Sequence, residues 1–256
     1  MSRYERWNAV LELLAQHGRL TVEEAAETLE VSTATIRRDF DELSQQQMLM
    51  RTRGGAVAQS VSYDLPLRYK TARHAGEKHR IAEAAAELVS PGAVVGMNGG
   101  TTTSEVARTL ALRAEPGARL TVVTNALNIA SELTVRQNVK LVVTGGVARP
   151  QSYELIGPLS SGVLEQVTLD IAFLGVDGID AEAGASAHHE GEASVNNQLI
   201  GRAARVVAVA DASKAGRRAF AKICSIDRID VLITDAGLSD AAAEAFTEAG
   251  VEVVRV

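Results

Sequence analysis

Residues 93–110 read AVVGMNGGTTTSEVARTL, and their pattern indicates the fold of most of the chain. Residues 93–97 are mainly apolar and have the length of a buried strand. Asn98, Gly99 and Gly100 then form a turn, and the apolar pattern changes to helical spacing at Val106 and Leu110. A strand, a tight turn and a helix in succession are the repeating unit of a parallel α/β sheet.

Apolar runs of the same kind recur downstream and alternate with helical patterns. They cover 120–124, 139–144, 170–176, 206–210, 231–234 and 251–256. Most of these runs are too continuously apolar for a sheet with one solvent-exposed face, so helices should cover both sides. The sequence therefore predicts a doubly wound, mainly parallel α/β domain over 77–256, opening with a helix near Glu77.

Polar turns follow these strands, and the carboxyl ends of parallel strands meet at one sheet edge, where open α/β folds bind ligands. The turn after the first strand combines glycine N–H groups, hydroxyls and a helix N-terminus, a combination that favours a phosphate. The alternative is an ordinary glycine turn with a threonine cap. The candidate ligand-binding residues at these turns are Asn98, Gly99, Gly100, Thr101, Thr102, Thr103, Ser104, Thr124, Asn125, Gly145, Gly146, Asp177, Gly178 and Lys214.

The composition limits the function classes. The chain has 256 residues, of which 46% are hydrophobic and 23% charged, which excludes a largely disordered protein. A single cysteine, Cys224, excludes an intrachain disulfide and a cysteine-based metal cluster. No apolar run is long enough for a bilayer and the N-terminus lacks a signal-peptide pattern, so we expect a cytoplasmic protein without membrane contact.

Charge is unevenly distributed along the chain. Residues 51–80 carry seven Lys plus Arg against two acids, net +5, whereas residues 1–50 are net −4 and residues 81–256 net −7. A local basic belt can attract a polyanion even in an acidic protein.

The first 57 residues have the pattern of a domain that binds double-stranded DNA. Helices are predicted over 4–17, 21–29 and 33–46, and two short extended segments surround a tight turn over 48–57. In a helix-turn-helix, the start of the second helix of the motif enters the major groove, and basic residues nearby contact phosphates or the minor groove. The alternative is a three-helix core with ordinary surface arginines. The candidate DNA-binding residues are Ser32, Thr33, Thr35, Arg37, Arg38, Arg51 and Arg53.

A resemblance makes this interpretation specific. Residues 31–40, VSTATIRRDF, followed by Leu43 and by RTRGGA at 51–56, resemble the DNA-binding domain of the DeoR/GlpR family of bacterial transcriptional regulators. The resemblance implies a winged helix-turn-helix over 1–57, a basic linker over 58–76 and an effector-binding, oligomerising domain over 77–256.

The strand-end turns also resemble that family's sensor domain, which is similar to ribose-5-phosphate isomerase. The resemblance implies that residues 98–104 hold a phosphate, that Asp177 faces the sugar and that Lys214 lies at the rim. It further implies a ligand-facing Glu192, and basic support from Arg68 and Lys78. The family often has Asp where this chain has Asn98.

We therefore expect a cytoplasmic repressor of carbohydrate or polyol genes that binds double-stranded DNA as a dimer or tetramer and is released by a phosphorylated sugar or polyol. No cofactor or metal is expected, because the adjacent His188 and His189 would point in divergent directions. The alternative is a sugar-phosphate isomerase with an appended DNA-binding module, for which Asp177, Asp180 and Glu192 are candidate bases.

Overall fold

The computed structural model describes residues 3–45, 48–57, 67, 74–114 and 119–256. The chain divides into two compact units, Met1–Arg73 and His74–Val256, which are treated separately below. Most of the expected linker over 58–76, including Arg68, lies outside the described residues.

The described part of the first unit contains three helices and a three-stranded antiparallel sheet of order β1-β3-β2. The elements are α1 Arg3–His17, β1 Arg19–Thr21, α2 Val22–Thr28, α3 Thr33–Gln45, β2 Met50–Thr52 and β3 Gly55–Val57. The predicted helices and hairpin are confirmed. Strand β1 was not predicted, since three residues are too few to show an alternating pattern.

The ends of α2 follow from its sequence. Thr21 Oγ1 accepts the Glu24 N–H at 3.1 Å, and the Glu24 carboxylate accepts the Thr21 N–H at 2.8 Å. This reciprocal pair is the predicted capping box, which satisfies two otherwise unpaired N–H groups.

Two glycines shape the wing hairpin for different reasons. Gly54 has a φ of 85°, which side chains rarely adopt, so it makes the tight turn between β2 and β3. A Cβ on Gly55 would lie 2.4 Å from the Leu20 carbonyl oxygen, so only glycine lets β3 press against β1.

The core of the first unit has a polar centre. Trp7, Ile36, Phe40 and Leu43 are buried among the three helices, as predicted. Asp39 of α3 is also buried, and it accepts hydrogen bonds from the Trp7 indole at 2.7 Å and from Arg6 Nε at 2.5 Å. One carboxylate therefore links α1 to α3.

The second unit is built on a seven-stranded sheet of order β15-β14-β12-β9-β4-β5-β6, in which every neighbouring pair is parallel. Its strands are β4 Val94–Met97, β5 Leu120–Thr124, β6 Val139–Val143, β9 Leu169–Leu174, β12 Ala203–Val209, β14 Val231–Thr234 and β15 Glu252–Arg255. All seven predicted strands are confirmed.

Helices cover both faces of this sheet. They are α4 Ala75–Glu87, α5 Thr101–Arg113, α6 Leu127–Leu133, α7 Ser161–Leu164, α8 Glu190–Ile200 and α9 Asp240–Glu248. Val95 and Phe173 pack with α4, α5 and α6 on one face, whereas Ala172 and Leu174 pack with α8 and α9 on the other. This alternation of neighbouring strand residues gives the doubly wound α/β class that the sequence predicts.

Short elements that the sequence did not reveal fold over the carboxyl edge. A hairpin and a small antiparallel sheet of order β10-β11-β13 are present. They comprise β7 Val147–Ala148, β8 Leu155–Ile156, β10 Gly178–Asp180, β11 Gly184–Ala187 and β13 Ala221–Cys224. Strands of two to four residues with mixed composition have no periodic pattern, so pattern analysis reads them as loops.

The Asp39 network predicts a stability effect. Asp39→Ala should lower the free energy of unfolding of the first unit by about 3 kcal/mol, because it leaves the mostly buried Arg6 charge and the Trp7 N–H unpaired. Trp7 is the only tryptophan of the chain, so its fluorescence during urea unfolding reports this unit.

Asp41→Ala is the matched control. Asp41 pairs with Arg51 at 3.0 Å but its side chain is 58% exposed, so its loss should cost less than about 1 kcal/mol. Equal effects of the two substitutions would show that the buried carboxylate has no special role in this unit.

Candidate functional site

The recognition-helix candidate α3 begins with a hydroxyl cap. Ser32 Oγ accepts the Thr35 N–H at 3.1 Å and lies 2.8 Å from Thr35 Oγ1. Ser32 and Thr33 are exposed and Thr35 is half-buried. The predicted hydroxyl residues thus lie together at the helix start, and two of them also stabilise it.

The acids of α3 are paired within the first unit. Asp39 binds Arg6 and Trp7, Asp41 binds Arg51, and Glu42 pairs with Arg3. Their negative charge is therefore compensated locally.

Arg37 and Arg38 lie on the exposed side of the same helix. Neither forms a hydrogen bond or ion pair with another described residue. Two exposed guanidinium groups thus remain available next to the helix start.

The two predicted wing arginines differ in their surroundings. Arg51 donates to the Gly55 carbonyl at 3.2 Å, pairs with Asp41 and lies 5.5 Å from the Phe40 ring centroid, so it fastens the wing to α3. Arg53 is exposed at the hairpin turn, beside Gly54. Of the pair, Arg53 has the position from which a side chain reaches outward.

In the second unit, the sheet order reverses between β4 and β9, and open α/β sheets bind ligands at such a point. Asn98 follows β4 and Gly175 follows β9. The buried Asn98 amide donates to the Gly175 carbonyl at 3.0 Å and accepts the Gly175 N–H at 2.7 Å. These two hydrogen bonds tie the ends of β4 and β9 together at the base of the crevice between them, so Asn98 has a structural role that the sequence did not reveal.

The loop after Asn98 forms the start of α5. Gly100 is its N-cap, with a φ of 134°. The hydroxyls of Thr103 and Ser104 donate to the Gly100 carbonyl at 3.1 and 2.6 Å, so they stabilise the helix start itself. The first turn offers a ligand its backbone N–H groups and the positive end of the helix dipole. Thr101 is half-buried there and Thr102 is buried.

Glu154, which the sequence analysis did not single out, enters the same crevice. It lies in the segment between β7 and β8, is 4% exposed and accepts a hydrogen bond from Asn125 Nδ2 at 3.0 Å. A Cβ on Gly99 would lie 2.5 Å from its Oε1. No strand-end or turn pattern marks Glu154, because the hairpin that carries it is visible only in three dimensions.

The pKa of Glu154 is raised to about 8. Burial is the largest cause, followed by the nearby carboxylates of Glu192 and Asp177, while hydrogen bonds from Asn125 and the Gly99 N–H oppose the shift. The group therefore holds its proton at neutral pH.

The predicted acids Asp177 and Glu192 thus converge on Glu154. Asp177 Oδ2 accepts the His188 N–H at 3.0 Å, and Glu192 of α8 pairs with Arg149 at 3.1 Å. Arg149, like Glu154, comes from the β7–β8 hairpin and was missed in the sequence for the same reason.

A second charged group surrounds Asp211, after β12. Burial acts to raise the pKa of Asp211, but the hydrogen bond from Ser213 and the nearby Lys214, His74 and Lys78 outweigh it and lower the pKa. The structure thus brings Lys78, which is buried on α4, and Lys214 to the same carboxylate.

Several predicted turn residues have packing roles. Cβ atoms on Gly145 and Gly178 would lie 2.6 and 2.4 Å from the carbonyl oxygens of Leu159 and Arg217. Gly146 has a φ of 135°, and Thr124 Oγ1 accepts the Ala126 N–H at 3.0 Å. These four residues shape the segments around the crevice.

Comparison with known proteins identifies the family to which this chain belongs. Residues 73–236 match the DeoR C terminal sensor domain and residues 6–61 match the DeoR-like helix-turn-helix domain. The chain belongs to the DeoR family. The resemblance in the sequence is confirmed.

Two curated relatives of this DeoR-family protein match it over almost their full length. The HTH-type transcriptional regulator GlpR of Haloferax volcanii is 36% identical over 98% of this chain and 96% of its own. The glycerol-3-phosphate regulon repressor of Escherichia coli K12 is 34% identical over 92% of each chain. The DeoR-family chain is thus a transcriptional regulator with a DNA-binding head and a sensor domain.

Among solved structures, ribose 5-phosphate isomerase A of Methanocaldococcus jannaschii matches 56% of this chain and 55% of its own, with 20% identity and a TM-score of 0.43.

Within the described residues, no helix has the length and apolarity that crossing a bilayer requires.

The raised pKa of Glu154 predicts a pH dependence of stability. Between its ordinary pKa near 4.5 and its folded value near 8, the folded sensor domain holds a proton that the unfolded chain has lost. Its stability should therefore fall as the pH rises from 6 to 8, by up to about 1.4 kcal/mol per pH unit from this group.

Scanning calorimetry of the sensor-domain transition measures this slope. Glu154→Gln should flatten it, whereas Glu165→Gln, at an exposed position before β9 on the opposite sheet edge, should leave it unchanged. An unaltered slope in Glu154→Gln would assign the pH dependence to other groups.

Proposed function

We propose that this protein represses carbohydrate or polyol genes in the cytoplasm and leaves its operator when a phosphorylated sugar or polyol binds the sensor domain. Two observations carry this proposal: Arg37 and Arg38 are exposed on α3 without a partner among the described residues, and the Gly100-capped N-terminus of α5 lies at the sheet switch point. The names of the relatives, a glycerol-3-phosphate regulon repressor among them, support the same conclusion.

The DNA interface consists of the start of α3 and the wing tip. Thr33 and Arg37 are four residues apart and share a helix face, so they can approach the same stretch of groove. Arg37 or Arg38 can grip a guanine edge with two hydrogen bonds, and Arg53 can contact a neighbouring phosphate. Arg51 supports this surface by holding the wing against α3.

The effector site uses opposite chemistries at its two ends. The N-terminus of α5 offers donors to a phosphate, and Lys78 and Lys214 add positive charge at the same sheet edge. Asp177 and Glu192 offer acceptors to the sugar, and the protonated Glu154 can also donate a hydrogen bond. Release requires that the effector bind the non-operator state more tightly than the operator state.

Self-association completes the proposal. One small head contacts few base pairs, whereas two linked heads on adjacent half-sites bind with a high effective concentration. We therefore propose a dimer or tetramer formed through the sensor domain.

The test begins with an operator selected from a random duplex library by the full-length protein. Gel shifts on that operator with a panel of phosphorylated sugars and polyols, and with their unphosphorylated forms, then measure release. Absence of duplex binding, or release by the unphosphorylated sugar alone, would contradict the proposal.

Arg37→Ala and Arg38→Ala should each weaken operator binding by about 1–3 kcal/mol if the side chain reads a base, with relaxed specificity at one position. A phosphate contact would instead weaken binding to all duplexes about equally. Fluorescence anisotropy on the operator and on single-base variants separates these results. Arg136→Ala, at an exposed position in the sensor domain, is the control. If both Arg37→Ala and Arg38→Ala bind the operator as tightly as the wild type, α3 is not the helix that enters the major groove.

Gly100→Val should abolish release by a confirmed effector while operator binding persists. A side chain at a φ of 134° is strained and would lie 3.1 Å from Thr103 Oγ1, which distorts the first turn of α5. Gly162→Val is the control, because the surroundings of Gly162 are open. Normal release by Gly100→Val in a gel-shift titration would move the phosphate away from this turn.

A further inference from the structure

The strand β6 lies at one end of the sensor-domain sheet and is almost entirely apolar. In the part of the chain that the structure describes, β6 pairs with β5 on one side and has no neighbouring strand on the other. Its sequence is VKLVV, so Lys140 is its only charged residue. Edge strands of natural sheets are usually protected by charges, bulges or a covering segment, because their free N–H and C=O groups can pair with another strand.

The opposite edge of the same sheet has such protection. Strand β15 begins with Glu252 and ends with Arg255. Glu252 pairs with Arg205 at 3.1 Å and Arg255 pairs with Asp240 at 2.6 Å, so charged groups are fixed at both ends of this edge. Charges at an edge disfavour the addition of a further strand. Of the two edges, β6 is therefore the one suited to pair with another strand.

Exposed apolar side chains lie beyond both ends of β6. Val135, shortly before the strand, is 75% exposed, and Val147, shortly after it, is 65% exposed. Leu159 is exposed as well, and it lies beside Gly145, because a Cβ on Gly145 would be 2.6 Å from the Leu159 carbonyl oxygen. A cluster of exposed apolar residues along a free strand edge indicates a protein–protein contact surface.

The backbone of β6 determines which of its residues can pair outward. The N–H of Thr144, directly after the strand, donates to the last carbonyl group of β5 at 3.0 Å. Backbone groups alternate between the two sides of a strand, so those of Lys140 and Val142 also point towards β5. The backbone groups of the residues between them point away from the sheet, at Val139, Leu141 and Val143.

A second copy of β6 complements this edge best in one antiparallel register. With Leu141 opposite the Leu141 of the second copy, Val139 faces Val143, and the outward groups of these pairs exchange hydrogen bonds along the whole strand. Lys140 then lies opposite Val142. A shift by two residues in either direction shortens the pairing, and one of the two shifts places the Lys140 charges opposite each other, which is unfavourable.

The same register continues the packing of the sensor domain. Val139 and Leu141 are half-buried against the core beneath α4, α5 and α6. Val143 shares their side of the strand, since alternate residues point to the same face. In the antiparallel pair these residues meet the same residues of the second copy, so the apolar layer continues across the two-fold axis. Antiparallel order also brings Val135 of one copy to the end of the edge where the other copy carries Val147.

We propose that two copies of this protein associate through β6, which pairs antiparallel with the β6 of the second copy and joins the two sheets into one. This inference rests on the proposed function, which assigns self-association to the sensor domain, and it names the surface. A two-fold interface uses the same patch on both copies, and a self-complementary strand meets that requirement. The two DNA-binding units then belong to one assembly, as binding to two half-sites requires.

Sedimentation velocity of the full chain over a range of concentrations measures the association. Val143→Lys should raise the dimer dissociation constant roughly tenfold or more, because it places a charge in the apolar layer at two symmetric positions. Val143 is 37% exposed in the single chain, so the variant should fold, which circular dichroism checks. Leu112→Lys is the matched control, since Leu112 is an exposed apolar residue of α5 outside the proposed interface.

Disulfide cross-linking tests the register. Leu141 lies on the two-fold axis, so Leu141→Cys should form a covalent dimer when diamide is added as the oxidant. Cα atoms of a hydrogen-bonded antiparallel pair are about 5.5 Å apart, and disulfides span about 4.4–6.8 Å. Lys140→Cys should stay largely unlinked, because the Lys140 positions of the two copies are diagonal neighbours about 7–8 Å apart. The wild type is the blank, since its Cys224 is buried.

The contrary results are distinguishable. A wild-type dimer that Val143→Lys does not weaken and that Leu141→Cys does not cross-link contradicts pairing through β6 and leaves the proposed self-association to another surface. Cross-linking of Lys140→Cys as efficient as that of Leu141→Cys contradicts the register. If the wild type stays monomeric both free and on operator DNA, the inference and the proposed self-association fail together. Should Val143→Lys not fold, the cross-linking comparison decides the question.

Discussion

The strand order of the sensor domain reverses between β4 and β9, and the position of its candidate ligand site follows from that reversal. Successive crossovers leave this sheet in opposite directions from the two neighbouring strands, so the loops that follow them separate and leave a crevice. The Asn98 amide bridges that crevice at its base by exchanging two hydrogen bonds with the Gly175 backbone. The Asn98 side chain has both the donor and the acceptor that these two bonds use, which gives Asn at this position a physical reason.

The two sides of the crevice present different chemical groups. One side is backbone, at the start of α5, and its N–H groups suit an anion. The other side is formed by carboxylates that come from three separate elements, with Glu154 buried against Gly99. The β7–β8 hairpin supplies both Glu154 and Arg149, so a ligand that rearranges these contacts would also move the hairpin.

In the DNA-binding unit, the candidate recognition helix α3 carries three acids, Asp39, Asp41 and Glu42. Asp39 is turned inward to join α1 to α3, while Asp41 and Glu42 are paired with arginines. Each of the three acids of α3 is therefore compensated by an arginine of the first unit. Arg37 and Arg38 are exposed, because their helix positions point away from the core.

Elements whose apolar periodicity extends over several residues could be predicted from the sequence. The seven parallel strands, the three helices of the head and the capping box at Thr21 were all visible in it, because buried strands and amphipathic helices impose a repeating apolar pattern. Turn chemistry likewise located Asn98, Gly99 and Gly100 correctly at the carboxyl edge. The tertiary structure was needed to establish which turn residues meet. It showed that Gly145 and Gly178 serve packing, that Arg51 braces the wing, and that Glu154 and Arg149 join Asp177 and Glu192. The physical reason is that these contacts link residues distant in sequence through hairpins of two-residue strands, which are too short to leave a periodic pattern.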